Sequence, residues 1–438
     1  MKRVIVMASI CAGILGSMDA GAKTLEDVLK EKGVITEEDY KEVTRVKPID
    51  YKLGKGFTLT TPDEKFQLTL GGRMQFRYTF IDFDDNSSKS DTSQWDAKRI
   101  RLIAQGYAYT KDLTYNLEFD PRAYASNTTK GLINAWMNYK LISEAQFMVG
   151  QFKSPWARQE LISDGSLQFV DRSVTVDAFK PSYEIGAMLN GKIAQGMAYY
   201  YAGVFNGAGQ TSTRSTNDNL FVARAVVNPL GDVPNTEPDF DLSPDPLLSI
   251  GANYFRNTVN KTAAATATTT GLDITNPNYA ATPSASTPGS GGWIGRNLRN
   301  NNVFAVAGDK IDIDSYGVDL AFKWMGLSLM GEYMFAQAEN QRSDALLRAH
   351  GFYAQAGYMI IPKTLEVAFR YSYLDPNRDV SGNLITEQIG AVSYYFSKHN
   401  LKIQADAGNI HTQGNQTVGG VSRPTDDMQY RVQAQIIF

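Results

Sequence analysis

The run Phe66–Phe80, FQLTLGGRMQFRYTF, alternates without a break. Phe66, Leu68, Leu70, Met74, Phe76, Tyr78 and Phe80 share one parity with Gly72, while Gln67, Thr69, Arg73, Gln75, Arg77 and Thr79 share the other with Gly71. Successive side chains of a strand point to opposite faces, so the segment has one apolar face and one wet face. It is longer than the usual globular strand of about five or six residues. It suits a tilted strand crossing a bilayer, which takes roughly 9–11. Two arginines on the wet face are costly against lipid but can face a water-filled lumen. The pattern predicts a transmembrane β-barrel whose lumen carries fixed positive charge.

Composition is compatible with this. The chain has 438 residues, enough for one large barrel. A hydrophobic content of 43% and a mean hydropathy of −0.30 are polar on average, as expected when only alternate residues meet lipid. No apolar run reaches the ~18 residues of a spanning helix. The 23 tyrosines, 21 phenylalanines and 37 glycines suit aromatic girdles and strand glycines. A net charge of −3 predicts no nucleic-acid partner, so any anion affinity must come from local placement.

Lys2 and Arg3, an apolar stretch from Val4 to Gly16 and the small triplet Ala20-Gly21-Ala22 predict a signal peptide over 1–22. Cys11 lies inside it, and Ile10 before it disfavours a lipoprotein site. The mature chain then has no cysteine, which excludes a disulfide framework or thiolate metal site. Residues 23–50 read as a short helical leader, expected in the periplasm. Leu25, Val28 and Leu29 have helical spacing, Gly33 breaks it, and Thr36 is a candidate N-cap with Asp39 three residues on.

Strands dominate from Gly56 to Phe438. Lys98–Tyr109 puts Arg99, Arg101 and Gln105 on one face, and Leu113–Asp120 and Leu132–Lys140 alternate in the same way. In Leu220–Asn228, Arg224 shares a face with Val222 and Val226, so its direction stays open. Ser154–Ser182 is too long for a hairpin loop and is a candidate constriction folded into the lumen; the alternative is an ordinary surface loop. Pro229–Pro246 reads as a connection, and the low-complexity stretch Arg256–Asp312 as a long extracellular loop. Short turns at Met325-Gly326, Pro362-Lys363 and Lys398-His399 alternate with longer polar loops, the pattern of bacterial outer-membrane barrels. The expected fold is all-β: a transmembrane antiparallel β-barrel of about 16 strands over 56–438, preceded by a short N-terminal helical segment. The last strand ends MQYRVQAQIIF, and its terminal Phe438 resembles the signal read by the barrel assembly machinery. Outer-membrane lipid is the surrounding partner.

Taken in order, GGRMQFRYTF, KRIRLIAQGYAYTKDLTYNLEFDP, AQFMVGQFKSPWARQELIS with VDRS after it, GVFNGAG and GFYAQAGYMIIPKTLEVAFRYSYLDPN resemble the phosphate-selective porin O and P family of bacterial outer-membrane channels. The resemblance runs from about Gly56 to Phe438. It implies a sixteen-stranded homotrimeric porin with arginines along an anion pathway. By motif position Arg73, Arg99 and Arg101 match basic residues of the first two strands, and Arg172 in VDRS matches a basic position after the fifth. Only part of the family's basic ladder is present, and Asn134 stands where the family would place an acid.

Arg73, Arg77, Arg99 and Arg101 stack on neighbouring strands, and Arg431 on the closing strand extends the patch. With Arg172, these six form the expected anion pathway. Arginine stays charged and offers a planar fork of donors to phosphate or carboxylate oxygens. The other reading of the same residues is that they pair with Glu118, Asp120 and loop acids and brace the wall. Asp319, Glu332, Glu366 and Asp406 share the inward parity on later strands, so a transverse field across the lumen is expected. The function expected is passive diffusion of small anions such as phosphate. The alternatives are a general diffusion porin of weak selectivity, an envelope anchor working through the leader, or a barrel hydrolase with His350 and His411 on its rim. No enzyme, cofactor or metal site is expected. His350, His399 and His411 have no ligand partner at useful spacing. Gly186–Lys192 matches G-x4-G-K, but Ile193 replaces the required Ser or Thr.

Overall fold

In lipid every backbone N–H and C=O must find a partner within the protein, so a strand-rich chain crosses only as a closed barrel. The computed structural model describes residues 29–38, 49–87, 89–122, 131–212, 218–260, 310–379, 381–418 and 421–438. The expected signal peptide, Asp39 and most of the Arg256–Asp312 loop lie outside the described residues. The strands are β1 (Ile49–Lys52), β2 (Gly56–Thr60), β3 (Phe66–Asp82), β4 (Thr92–Ala108), β5 (Thr110–Phe119), β6 (Leu132–Ile142), β7 (Ala145–Lys153), β8 (Tyr183–Ile193) and β9 (Ala198–Phe205). They continue as β10 (Leu220–Val227), β11 (Leu247–Asn260), β12 (Lys310–Trp324), β13 (Leu327–Asn340), β14 (Leu346–Ile361), β15 (Leu365–Asp375), β16 (Ile385–Ser397), β17 (Leu401–Val418) and β18 (Val421–Ile437).

From β3 to β18 each strand pairs antiparallel with the next, and β18 pairs back onto β3, closing a sixteen-stranded barrel. The closing register sets Arg431 opposite Thr79 and Gln433 opposite Arg77. β18 reaches only to Arg73 on β3. Below that point β2 takes over the same edge, with Phe57 opposite Leu70 and Thr60 opposite Gln67. No edge of β3 is left bare over this length.

The period-two pattern is the barrel's inside-outside code. On β18, Tyr430, Val432 and Ile436 are exposed on the outer face while Gln429, Arg431, Gln433 and Gln435 are buried in the lumen. On β10 the inward face is Leu220, Val222, Arg224 and Val226, which settles the direction of Arg224. The G-x4-G-K match lies on β8, a plain wall strand. The tight turn Met325-Gly326 has positive φ at both residues (48° and 85°), the conformation that joins two twisted strands without splaying them.

Residues 29–38 form a separate unit. A helical turn ends at Gly33 (φ 67°), where Gly33 N–H bonds Lys30 O at 3.0 Å and Val34 N–H bonds Leu29 O at 2.9 Å. This is the paired bond pattern of a glycine-capped helix end, at the position where the sequence breaks.

Two connections do not stay outside. The β7–β8 loop, Ser154–Ser182, enters the lumen from the long-loop end. Trp156, Ile162, Leu167, Phe169, Val170, Val176 and Phe179 are each at most 3% exposed. A sixteen-stranded wall is too wide for its own side chains to fill, so these apolar groups find cover there. The loop contains α1 (Arg158–Leu161) and α2 (Val174–Phe179). Ser173 caps α2, its hydroxyl accepting from Val176 N–H at 3.1 Å. α2 lies against β13, β14 and β15, and the Thr175 hydroxyl donates to Tyr373 O at 3.0 Å. Gly351 and Gly357 on β14 leave room for it: a Cβ at the first would press on Thr175 and at the second on Gln168.

The β10–β11 connection enters from the short-turn end, where the sequence suggested only a linker. Lys323 donates to the carbonyls of Thr236 (2.7 Å) and Pro238 (3.1 Å). Asp239 accepts from Gly326 N–H (2.8 Å) and from the Ser243 hydroxyl (2.8 Å). Phe240 packs edge-on against Tyr395 and His399, with ring centroids 4.7 and 4.8 Å away.

Candidate functional site

The wet face of β3 and the neighbouring face of β4 bring the first four arginines together. Arg73 stands opposite Arg101, and Gln75 opposite Arg99. Like charges facing each other across a ladder repel, so the cluster requires acids. Glu118 and Asp120 come from β5 and the loop after it. Arg101 donates to Glu118 at 2.6 Å and to Asp120 at 3.2 Å. Asn134, on β6, donates its amide to the other Glu118 oxygen at 2.6 Å, so an amide orients the acid at the position where an acid was expected.

The inserted loop supplies the remaining counter-charges. Asp164 lies 2.5 Å from Arg172, 3.0 Å from Arg99, 3.5 Å from Arg101 and 3.8 Å from Arg73. Asp171 lies 2.7 Å from Arg77, 3.1 Å from Arg99 and 4.0 Å from Arg431. Arg172 also meets Glu160 at 3.2 Å and donates to the Gln159 and Ile162 carbonyls. Arg431 holds Asp406 through two bonds of 2.7 Å. All six expected arginines are therefore buried in the lumen and linked through shared acids along one stretch of wall, and all six are ion-paired. This is the bracing geometry that was the alternative reading of the same residues.

One basic residue beside this cluster lies outside its ion pairs. The bulge between Gln75 and Phe76 in the β3–β4 register makes Lys98 the extra residue on β4. Lys98 and Arg99, adjacent in sequence, are both buried, at 7% and 8% exposed. Among the described residues Lys98 has no carboxylate within ion-pair distance. Strict alternation would turn Lys98 to the lipid, and the doubled basic pair Lys98-Arg99 was the one signal against that. Replacing Lys98 by methionine should roughly halve the chloride-to-potassium permeability ratio, since one charge in a partly screened lumen is worth about 1 kcal/mol or less. Reversal potentials of the two proteins check this.

The acids of the far wall hold the inserted loop. Glu332 accepts from the first backbone N–H groups of α1, Arg158 (2.8 Å) and Gln159 (2.7 Å), and from the Tyr353 hydroxyl (2.8 Å). Asp319 meets both Arg158 and Arg224 at 2.6 Å. Glu366 accepts from Gln168 and from Tyr395 at 2.6 Å, and Asp406 accepts from Val170 N–H at 3.0 Å. The expected transverse field is thus corrected: these four carboxylates face cationic or N–H groups of the loop, its neighbours and Arg431, not open water. Arg370 was also missed. It bonds Glu387 (2.8 Å), the Asp171 and Arg172 carbonyls (3.0 and 3.2 Å), and stacks on Phe169 at 4.4 Å.

The space left is asymmetric. α2 and its apolar neighbours fill the β13–β15 side, so openings survive on the other. Toward the long-loop end Arg77, Asp96, Arg172 and Arg431 line a pocket of about 30 Å³, room for a water or two. Toward the short-turn end a larger cavity of about 540 Å³ lies against β5–β9. Arg73 and Asp164 border the larger cavity, Arg77, Asp171, Arg172 and Arg431 border the smaller one, and the ion pairs among them join the two.

Burial pushes the Asp164 carboxyl up, but Arg172, Arg99 and Lys153 overcome it and hold it well below the usual carboxylate range. Asp171 behaves alike, with Arg77 and Arg99 overcoming burial. Groups with depressed folded values contribute stability that is fully present above the unfolded value, near pH 4, and lost as pH falls through the folded value. The stability these two carboxylates contribute should therefore be intact down to about pH 5 and decline only below it. Thermal migration of the wild-type protein and Asp164→Asn on gels at pH 7 and pH 5 checks this, and a stability difference that has already vanished at pH 5 would contradict these ion pairs.

Among the described residues no group of His, Cys, Asp and Glu could hold a metal ion. His350 stacks between Tyr333 and Tyr373 at 6.2 and 5.7 Å, and His411 pairs with Asp426 at 2.9 Å.

Comparison with known proteins follows the same lines. A family model described as phosphate-selective porin O and P matches residues 68–274 and 295–437. Porin O of Pseudomonas aeruginosa is 23% identical over 370 residues, 80% of this chain and 76% of that protein. An uncharacterised protein of Aquifex aeolicus is 21% identical over 445 residues, 92% of this chain and 93% of its own. The anion-selective porin from Comamonas acidovorans superposes with a TM-score of 0.54 at 10% identity, covering 84% of this chain and 99% of the other.

Proposed function

We propose that this chain, which belongs to the phosphate-selective porin O and P family and is an outer-membrane porin, passes small anions along its β3–β9 wall through the arginine cluster. The observation that carries this reading is the cluster itself. Six arginines and Lys98 are gathered about the loop aspartates Asp164 and Asp171 inside the lumen. An anion arriving there can take over guanidinium donors from Asp164 or Asp171, so binding is strong enough to admit it and contested enough to release it. A cation meets the same arginines with no unshared carboxylate. Phosphate fits the guanidinium fork better than chloride does, since two of its oxygens can accept in parallel.

Homotrimeric assembly, a periplasmic position for the leader and recognition of Phe438 by the barrel assembly machinery belong to the same proposal. Family membership supports the first. The second rests on the leader's own sequence, a short polar helical stretch ahead of the strands. The third is supported by Phe438 itself, whose backbone pairs with Gly72 at 2.8 and 3.0 Å and so completes the seam. The test of the transport reading is chloride current through single channels during phosphate titration. Block by phosphate supports a guanidinium site, and current insensitive to phosphate favours a general porin with an anion bias.

A further inference from the structure

The 540 Å³ cavity meets the arginine cluster at Arg73 and its paired acids Glu118 and Asp164, and its other walls have a different chemistry. They are built from Trp136 of β6, Tyr183 of β8 and Tyr201 of β9. Neither phenol nor the indole N–H hydrogen-bonds another described residue. Lys153, at the end of β7, places its ammonium 5.6 Å from the Tyr183 ring centroid. It donates to the Glu160 and Ile162 carbonyls at 2.5 and 3.4 Å and has no carboxylate within ion-pair distance among the described residues. Asn235 of the inward-folded β10–β11 connection lines the cavity from the short-turn side, and Leu161 of the inserted loop lines it from above.

An inorganic anion could use the cation and the polar donors here but not the ring faces. Rings gain from offset or edge-on contact with Trp and Tyr, a carboxylate gains from the ammonium, and the free phenol and indole tips supply donors beside it. The volume lies within the roughly 300–1,000 Å³ range of small-molecule sites. We propose that this chamber is a binding subsite for ring-bearing organic anions, of the aromatic carboxylate class. The proposal rests on the porin reading for the route by which such a solute arrives, and it widens the solutes admitted from inorganic anions to organic ones.

The test is calorimetric titration of the detergent-solubilised full-length protein with benzoate, and with acetate as the ringless carboxylate. Benzoate should bind at least tenfold more tightly than acetate. Trp136→Leu and Tyr183→Leu should each weaken benzoate about tenfold and leave acetate unchanged, whereas Lys153→Met should weaken both. Heat-modifiable migration on gels verifies that each variant has folded. Equal affinity for the two carboxylates, or benzoate affinity unmoved by both ring substitutions, overturns the proposal. Chloride conductance of the wild-type protein is read separately. Its absence would sink the pore while the benzoate-to-acetate ratio still decides the chamber.

Discussion

Asp164→Asn should make the channel markedly more anion-selective. The Asp164 carboxylate is shared by Arg73, Arg99, Arg101 and Arg172, so removing its charge leaves four guanidinium groups in the lumen with one fewer counter-ion. At an effective dielectric near 20, a unit charge about 5 Å from a permeating ion is worth roughly 3 kcal/mol. After screening by mobile ions, a five- to tenfold rise in the chloride-to-potassium permeability ratio is a reasonable magnitude. Breaking a buried charge network typically costs about 3–5 kcal/mol, so the variant should also unfold at lower temperature. Reversal potential and thermal migration on gels measure the two effects. An unchanged permeability ratio in a folded variant would place the ion path elsewhere in the lumen.

Deleting residues 155–181 should open the pore. The ends of the loop already meet: Ser154 N–H bonds Ser182 O at 3.0 Å, and Lys153 pairs with Tyr183 across β7 and β8. A short link can therefore replace the loop without moving a strand. The deletion removes Asp164 and Asp171 together with the apolar side chains that fill the β13–β15 side. Single-channel conductance should rise roughly three- to tenfold, because a sixteen-stranded barrel without its insert encloses a wide aqueous lumen. Selectivity should fall toward that of a general porin, since ions then pass farther from the wall arginines. Glu332, Glu366 and Asp319 lose loop partners as well, so some loss of thermal stability accompanies the change. Conductance no higher than wild type would mean that the loop does not set the narrowest point.

Much of this architecture can be read from residue order, and the limits have physical causes. Period-two alternation is strict wherever one face meets lipid, so strand number, the inward face of β3 and the closure by Arg431 are all legible. The insertion of Ser154–Ser182 is legible too, because a surface loop has no reason to carry Trp156, Phe169 and Phe179. A bulge defeats alternation, and it hid Lys98 by turning two consecutive residues inward. Partners far apart in sequence are hidden for another reason. Nothing local says that Glu332 receives the first N–H groups of α1, or that Asp319 lies between Arg158 and Arg224. Parity places such acids in the lumen but does not tell an acid facing water from one facing a guanidinium. That is why a transverse field was expected and a set of loop anchors was found. The β10–β11 connection was opaque because its Pro- and Asp-rich sequence is that of any linker. Its inward course depends on carbonyls offered to Lys323 and on turns closed by Asp239.

The most direct measurement is the reversal potential of the purified wild-type protein in a planar bilayer under a KCl gradient. An arginine cluster with a lysine outside its ion pairs should give a potential displaced toward the chloride equilibrium value, with chloride current reduced when phosphate is added. A potential displaced toward potassium would contradict an anion pathway through Arg73, Arg99, Arg101 and Arg172.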